Sequence, residues 1–215
     1  MFRPMVLILR RLSGPRKFSE VLMTPLILAS SSPRRQELLA QAGIPFEIHA
    51  PEVNEDCALP AREAVAELSR RKAQASALRH PDRFILASDT LVTVDGEKLG
   101  KPHSPEDACR MLRLLSGRTH EVFTGVTVAA PAGRMLTEVD ASSVTFDPLS
   151  EAFISAYVAG GEPMDKAGAY AVQGQASLFI SRLEGCFFGV MGLPLYLVRR
   201  LLEQAGYPLF IRKED

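Results

Sequence analysis

The sequence predicts an α/β fold built on a mixed β-sheet with helices packed against it. Short apolar stretches with strand character alternate along the chain with stretches of helical periodicity, a pattern typical of α/β folds. Asp95-Gly96 and Pro131-Ala132-Gly133 separate strand-like stretches and predict hairpins, in which neighbouring strands run antiparallel. Hairpins combined with strand–helix alternation favour a mixed sheet over a purely parallel one.

Capping residues, turn residues and apolar periodicity set the expected boundaries of each element. Ser32 at an N-cap position, Pro33 at the first helical position and Gly43 beyond the end delimit the first helix. Ser104 and Ser116-Gly117 delimit a later helix in the same way. The predicted strands span residues 26–29, 46–49, 84–87, 91–94, 122–129, 135–146, 178–183 and 187–191, and the predicted helices span 33–42, 61–78, 105–115, 151–159 and 195–205.

The composition is that of an ordinary globular protein. Of the 215 residues, 47% are hydrophobic, which suffices for the core of one domain or of two joined lobes. Lys plus Arg and Asp plus Glu number 25 each, so the net charge of zero provides no global field that would attract nucleic acid. Three widely separated cysteines without zinc-binding spacing predict free thiols in a cytoplasmic protein.

Residues 1–22 differ in composition from the rest of the chain. They are basic, and their apolar run Met5–Leu9 is too short for a membrane span or a signal-peptide core. An organelle transit peptide is one interpretation, but Met23 would be a natural start for the folded part. We expect a disordered extension over 1–22, a single domain over 23–210 and no membrane association.

The first candidate for chemistry is the segment Ser30-Ser31-Ser32-Pro33-Arg34-Arg35. Free backbone N–H groups and the dipole at a helix start attract anions, and two arginines can bind phosphate oxygens in pairs of hydrogen bonds. Simple capping with solvated arginines is the alternative. Paired cations in a first turn oppose the helix dipole unless an anion neutralises them, which favours phosphate binding.

Asp89 is the second candidate, because we expect it to lie where the strand at 84–87 ends. A carboxylate held there is partly desolvated and fixed in direction, as a general base or a metal ligand must be. Acidic residues lie upstream and lysines elsewhere, and Mg²⁺ needs only one or two protein carboxylates plus phosphates and water. Taken alone, this segment favours a turn cap among surface charges over a catalytic role.

The third candidate is the glycine-rich segment 161–174, in which the Gln173 amide can meet the edge of a nucleobase. His120, at the start of a strand, is more often a structural hydrogen-bonding residue than a base. Ser30 lacks the surroundings of a serine-hydrolase nucleophile. The chain contains neither a Walker A loop nor a GxGxxG fingerprint, which excludes the commonest nucleotide-binding folds.

In order along the chain, these segments resemble the Maf family of nucleoside triphosphate pyrophosphatases. Each motif is weak alone, but the ordered set is specific. The resemblance covers about Leu26 to Tyr207 and rests on Leu28-Ala29-Ser30-Ser31-Ser32-Pro33-Arg34-Arg35, Lys72-Ala73, Ser88-Asp89-Thr90, Gly100-Lys101-Pro102, Leu115-Ser116-Gly117-Arg118-Thr119-His120, the stretch 162–174 and Val190-Met191-Gly192-Leu193-Pro194.

The resemblance implies a fold of two lobes around a cleft, like that of inosine triphosphatase, and a homodimer. It implies that Asp89 activates water for attack on the α-phosphate and that a divalent cation, Mg²⁺ or Mn²⁺, is the cofactor. The metal ligands implied are Glu55 and Asp89. The residues implied to hold the triphosphate are Ser30, Arg34, Arg35, Lys72 and Lys101.

Within the family, the segment 165–173 looks like the branch that acts on dTTP and UTP, with Arg34, Thr90 and Gln173 at its selectivity positions. An amide can flip to fit cytosine, so Gln173 alone cannot exclude CTP. Ser88, Ala171-Val172 and Cys186-Phe187-Phe188 depart from the family pattern and put the preferred substrate in doubt more than the reaction. A 7-methyl-GTP pyrophosphatase and a non-catalytic, nucleotide-binding regulator of cell division are the alternatives.

Overall fold

A computed structural model describes residues 24–209, and the predicted extension over 1–22 lies outside them. Seven strands form one mixed sheet in the order β2-β1-β3-β5-β6-β7, with β4 paired to β3. β1 runs parallel to β2 and β3, while the other pairs are antiparallel, which confirms the mixed sheet. In the described part of the chain, no helix is long and apolar enough to cross a membrane.

Most predicted elements are present close to their expected bounds. The helices predicted over 105–115, 151–159 and 195–205 have those bounds. The strands are β1 (Leu26–Leu28), β2 (Phe46–Ile48), β3 (Ile85–Val94), β4 (Glu97–Leu99), β5 (Thr119–Ala129), β6 (Met135–Phe146) and β7 (Ile180–Glu184), and the α-helices are α1 (Pro33–Gln41), α2 (Ala61–Arg79), α3 (Pro105–Leu115), α4 (Glu151–Ala159), α5 (Phe187–Met191) and α6 (Leu195–Ala205).

Successive side chains of β3 point to opposite faces of the sheet and pack against different helices. Ile85 and Ala87 lie in one core cluster with Ala73 of α2, whereas Leu86 lies in another with Leu197 of α6. Because successive side chains of a strand point to opposite faces, Asp89 shares the α2 face with Ile85 and Ala87. The sheet is therefore a central layer with α2 on one side and α6 on the other.

Two of the apolar cores lie in different parts of the molecule. One packs α3, α4 and the segment 167–179 around the second half of β3 and the ends of β5 and β6. The other packs α1 and α6 around β1 and Leu86. A cleft lined by residues from both regions lies between them. This arrangement agrees with the expected two lobes around a cleft.

The prediction of a strand over 187–191 is wrong, because these residues form the short helix α5. Cys186 caps this helix, its Sγ accepting from the N–H of Gly189, and Gly192 ends it with a φ of 113°. A short apolar run does not by itself distinguish a strand from a buried helix. The preceding strand is also shifted, since a 3₁₀ helix occupies Gln175–Leu178 and β7 begins at Ile180.

The expectation that a strand ends just before Asp89 is also wrong. β3 continues through Asp89 to Val94 because β5 pairs with it along Ile85–Thr93, with Asp89 opposite Gly125. On the other edge, β1 pairs with Ile85 and Leu86, and β4 pairs from Val92 onward. Asp89 therefore lies beside the point where pairing with β1 ends.

Candidate active site

The cleft between the two lobes has a volume of about 990 Å³. Its lining brings together every residue that the sequence analysis singled out for catalysis, phosphate binding, base selection or metal binding. These residues are Ser30, Arg34, Arg35, Glu55, Lys72, Asp89, Thr90, Lys101 and Gln173. They come from six separate stretches of the chain, so the fold places them in one site.

Asp89 and Lys72 form an ion pair inside this cleft. The Lys72 Nζ donates to Oδ1 of Asp89 at 2.6 Å and lies 2.8 Å from Oε1 of Glu55. The side chains of Lys72 and Asp89 are only 13% and 11% exposed, whereas that of Glu55 is 67% exposed. The hydrogen bond from Lys72 lowers the pKa of the Glu55 carboxyl group. One ammonium group thus holds two carboxylates close together.

A close contact between α2 and the sheet brings Lys72 to Asp89. Gly125 is the register partner of Asp89 on β5, and a Cβ atom there would lie 2.2 Å from the carbonyl oxygen of Val65. The hydroxyl groups of Ser69 and Thr127 bond at 2.9 Å further along the same contact. Only glycine lets the helix backbone approach so closely. Lys72 follows on the next turn of α2, over the sheet.

Arg71 and Lys98 hold the loop that carries Glu55. No role for Arg71 was predicted from the sequence. Nη1 of Arg71 donates to the carbonyl oxygens of Asn54 and Asp56, the two neighbours of Glu55 in the chain. Lys98 donates to the carbonyl oxygens of Cys57 and Leu59. The signal for Arg71 was its position next to Lys72, but the carbonyl partners are visible only in the folded chain.

Arg35 is an enclosed cation whose hydrogen bonds all go to neutral oxygens. Its guanidinium donates to the Gly192 carbonyl at 2.9 Å, to Ser30 Oγ at 3.0 Å and to Thr90 Oγ1 at 3.4 Å. It forms no ion pair within residues 24–209. Burial lowers the pKa of Arg35, while the charge of Asp89 opposes this shift. A half-buried cation without a paired anion favours binding of an anionic ligand.

Arg34 connects α1 to the glycine-rich segment across the cleft. Its guanidinium donates to Oδ2 of Asp165 at 2.9 Å and to the Asp165 carbonyl at 3.1 Å. Lys166 donates to Oδ1 of the same carboxylate. Burial alone would raise the pKa of Asp165, but hydrogen bonds from Lys166 and Arg34 lower it to about 2. The sequence analysis placed Asp165 and Lys166 in a candidate loop without giving either a role.

Thr90 and Ser30 both accept hydrogen bonds from Arg35. The Thr124 hydroxyl donates to the Gly189 carbonyl, so Thr90 donates to Thr124 and its oxygen accepts from Arg35. Ser30 Oγ accepts from Arg35 and from the N–H of Ser32. Ser32 occupies the predicted N-cap position of α1, although its side chain makes no capping bond.

Gln173 and Lys101 are exposed at the cleft. Neither side chain makes a hydrogen bond or an ion pair within residues 24–209. Gln173 lies just before the 3₁₀ helix Gln175–Leu178, and Lys101 follows β4. Both are therefore accessible to a ligand.

His120 has the structural surroundings that the sequence analysis favoured. It is 2% exposed, its Nε2 lies 2.9 Å from the Tyr170 hydroxyl, and its Nδ1 has no partner within residues 24–209. The rings of Phe146 and Tyr170 pack against it edge to face. Burial lowers the pKa of His120 to about 4. It is neutral at physiological pH and lies behind Tyr170, which lines the cleft.

The donor set can accept a divalent metal only with help from a ligand. The described residues contain no cluster of three or more His, Cys, Asp or Glu side chains placed to hold a metal ion. Glu55 and Asp89 nevertheless both reach the same Lys72 nitrogen, so their oxygens converge on one place. Mg²⁺ commonly takes one or two carboxylates and completes its shell with substrate phosphates and water. These residues fit such a metal.

Comparison with a solved structure supports the fold class. The Staphylococcus aureus Ham1 protein superposes with a TM-score of 0.51, covering 84% of this chain and 99% of that one at 13% identity. At this identity the likeness shows a shared fold alone. It confirms the predicted α/β class of the inosine triphosphatase type.

Comparison of sequences identifies the family. The family described as Maf-like protein matches residues 25–205. A protein of Symbiobacterium thermophilum, named dTTP/UTP pyrophosphatase, is 48% identical over 190 residues, which cover 87% of this chain and 97% of the relative. One of Moorella thermoacetica with the same name is 47% identical over 193 residues, 88% of this chain and 100% of the relative. This chain belongs to the Maf-like family.

Proposed function

We propose that this protein is a nucleoside triphosphate pyrophosphatase that hydrolyses dTTP and UTP to the monophosphate and pyrophosphate. The observation that carries the proposal is the pairing of Lys72 with both Asp89 and Glu55 in a cleft that also contains Arg34, Arg35 and Lys101. The names of relatives with 48% and 47% identity over most of the chain support the choice of substrate.

Asp89 is the proposed general base. Its Oδ1 is engaged by Lys72, whereas its Oδ2 makes no hydrogen bond within residues 24–209 and can accept a proton from water. The water oxygen then bonds to the α-phosphorus, and the bond from that phosphorus to the oxygen shared with the β-phosphate breaks. Pyrophosphate leaves with the electron pair of that bond, and the proton passes to Asp89.

The cations of the cleft supply binding and charge stabilisation. In the proposal Ser30, Arg34, Arg35, Lys72 and Lys101 hold the triphosphate, and Arg35 gains the anion that its enclosed position lacks. Preorganised cations stabilise the charge that develops on the departing pyrophosphate. Glu55 and Asp89 would hold Mg²⁺ or Mn²⁺, which when bound further neutralises the phosphate oxygens.

Base selection is assigned in the proposal to Gln173, with Arg34 and Thr90 acting nearby. The amide of Gln173 can accept from N3–H and donate to O4 of uracil or thymine. Arg34 contacts the glycine-rich segment through Asp165, and Thr90 contacts Arg35. These contacts favour an indirect contribution of Arg34 and Thr90 to selectivity.

The proposal is tested by incubating the purified protein with a panel of natural and modified nucleoside triphosphates in the presence of Mg²⁺ or Mn²⁺. Pyrophosphate and orthophosphate are measured separately. We expect pyrophosphate as the first product, with dTTP and UTP the best substrates. Orthophosphate as the first product would place the cleavage elsewhere. Preference for 7-methyl-GTP, or binding without turnover, would favour one of the two alternatives.

The same proposal includes a homodimer in the cytoplasm, formed by a domain that spans residues 23–210. The three cysteines Cys57, Cys109 and Cys186 are all free, which is consistent with a reducing compartment. Light scattering measures the mass in solution. Limited proteolysis tests the domain boundary, and trimming that stops within β1 with loss of activity would contradict it.

A further inference from the structure

The segment that carries Gln173 is built from short turns, not from a helix or a strand that would hold it. Most of residues 162–178 belongs to three short 3₁₀ helices. These are Glu162–Asp165, Ala167–Ala169 and Gln175–Leu178. Each turn closes its own short backbone hydrogen bonds, such as that from the N–H of Gly174 to the Ala171 carbonyl, but these local bonds do not fix how one turn lies against the next. The arrangement of the turns therefore depends on contacts with other groups. Base selection by an amide requires that the backbone beneath the amide be held in one position.

Two side chains supply these contacts on either side of Gln173. The hydroxyl of Tyr157, on α4, accepts from the N–H of Ala171 at 3.3 Å and donates to Oε1 of Glu162 at 2.7 Å. Oε2 of Glu162 accepts from the N–H of Gln175 at 3.1 Å. A phenol and a carboxylate thus join the backbone two residues before Gln173 to the backbone two residues after it.

The intervening residue Gly174 shows how closely the carboxylate lies against this backbone. A Cβ atom at Gly174 would lie 2.4 Å from Oε2 and 2.5 Å from Oε1 of Glu162. The φ of Gly174 is −103°, which any residue adopts, so it is the nearby carboxylate and not the backbone conformation that a side chain there would displace. The Glu162 carboxylate occupies the space that a side chain at position 174 would need.

Burial and charge agree with a fixed arrangement. Tyr157 is 3% exposed and packs against Phe153 and Phe179. Burial, followed by the hydrogen bond to Glu162, raises the pKa of Tyr157, so its hydroxyl keeps its proton. The Glu162 carboxylate pairs with no Lys or Arg side chain within residues 24–209, because Lys166 binds its backbone carbonyl instead. Both carboxylate oxygens are committed to the contacts described above.

We propose that Tyr157 and Glu162 are positioning residues for base selection, which fix the backbone on both sides of Gln173 and so fix the direction of its amide. The proposal rests on the proposed function, in which Gln173 contacts the pyrimidine. Neither residue lines the cleft. They act through Gln173, and their loss should affect the choice of base more than hydrolysis itself.

The test is a double-mutant cycle between Tyr157→Phe and Gln173→Ala, with kcat and KM measured for UTP, CTP and GTP. Phe keeps the ring packing and removes only the hydroxyl. We expect Tyr157→Phe to lower the preference in kcat/KM for UTP over CTP and GTP by about three- to tenfold, as for a lost hydrogen bond. The change should fall mainly on KM, with kcat for UTP within about twofold of wild type.

In the Gln173→Ala background, Tyr157→Phe should have no further effect on the preference, because the group it positions is gone. A purely structural role would instead lower kcat/KM for all three nucleotides equally in both backgrounds. That result would overturn the proposal. Tyr207→Phe is the matched control, since it removes a hydroxyl that donates to the Thr24 carbonyl on another part of the molecule.

Glu162→Gln is the second variant, and it tests the proposal even if Tyr157→Phe fails to fold. In the place of the carboxylate, an amide has one acceptor oxygen and one NH2 group, so it removes one of the two acceptors that receive the Tyr157 hydroxyl and the Gln175 N–H. We expect the same loss of base preference, again absent in the Gln173→Ala background. Wild-type preference in both Tyr157→Phe and Glu162→Gln would refute the positioning role.

Failure of the proposed function gives a different result. If wild-type protein releases no pyrophosphate from UTP, or if Gln173→Ala keeps the wild-type preference, the assigned activity or the role of Gln173 is wrong, and the positioning role is rejected with it. If the wild-type protein releases pyrophosphate from UTP and Gln173→Ala loses the base preference, the Tyr157 and Glu162 variants alone decide the positioning role.

Discussion

The Nζ atom of Lys72 lies 2.6 Å from Oδ1 of Asp89, and both side chains are almost entirely enclosed in the cleft. Such a pair gains little net stability, because removing two charges from water offsets much of their attraction. The pair instead orients the Asp89 carboxylate, because the lysine engages one of its oxygens and leaves the other available. The contact of α2 with Gly125 determines where the lysine lies.

Replacing Asp89 by Asn should abolish most turnover without unfolding the protein. The amide keeps the shape of the side chain and a hydrogen-bond acceptor for Lys72, which still has Glu55 as a partner. We expect hydrolysis of UTP with Mg²⁺ or Mn²⁺ to fall by about 10²- to 10⁴-fold, the usual contribution of a general base. Binding is measured by calorimetry and should largely persist. Unchanged turnover would exclude Asp89 as the base.

Replacing Gly125 by Ala should displace α2 and with it Lys72. The added methyl group would lie 2.2 Å from the Val65 carbonyl, a distance that the backbone must relieve by moving. We expect a loss of about 1–3 kcal/mol in the free energy of unfolding and lower turnover of UTP. Denaturant unfolding and kinetics check the two effects. Gly100→Ala, where no atom lies within 4 Å of the added Cβ, is the control for stability.

Replacing Arg71 by Met should weaken the metal site. Its guanidinium binds the carbonyl oxygens on both sides of Glu55, so its loss frees the loop that carries a proposed metal ligand. We expect the Mg²⁺ concentration for half-maximal activity to rise by about tenfold, as for other groups that orient metal ligands. Arg70→Met is matched to it, since within residues 24–209 Arg70 pairs only with Glu67. Equal metal requirements in both variants would contradict this role of Arg71.

The buried His120 should make folding stability depend on pH. Its pKa is about 4 in the folded protein and about 6.5 in the unfolded chain, so between these values the unfolded chain binds more protons. The stability present above pH 6.5 is therefore lost as the pH falls towards 4, by about 3 kcal/mol in total.

His120→Gln removes this titration, and its free energy of unfolding should change less than that of wild type between pH 6.5 and 4. Denaturant unfolding over this range provides the measurement. Tyr170→Phe keeps the buried imidazole while removing its hydroxyl partner, so the wild-type dependence should persist there. Parallel curves for His120→Gln and wild type would show that His120 does not titrate as its burial implies.

Local patterns were sufficient for several elements. The helix at Pro105–Leu115 has the predicted bounds because Ser104 caps it, its Oγ accepting from the N–H of Asp107, and Pro105 begins it. Asp95 and Gly96 both adopt positive φ and form the predicted turn between β3 and β4. These features depend on residues close together in the chain, so the sequence alone is enough to predict them.

Other features depended on distant partners. The helix α5 could not be told from a strand, because its short apolar run becomes helical through the Cys186 cap and the turn at Gly192. The strand β3 runs through Asp89 because β5 pairs with it along Ile85–Thr93. The position of Arg71 next to Lys72 did not reveal its role, since the carbonyl oxygens it binds lie 15 and 17 positions away.

By itself the sequence determined the α/β class, the resemblance to the Maf family and the set of charged residues around Asp89. The tertiary structure decided how those charges are arranged: Lys72 lies between Asp89 and Glu55, Arg35 has no paired anion in the described part of the chain, and Arg34 reaches Asp165 across the cleft. The physical reason is that hydrogen bonds and burial join groups that are far apart in the chain. A linear pattern identifies such groups but does not show which of them meet.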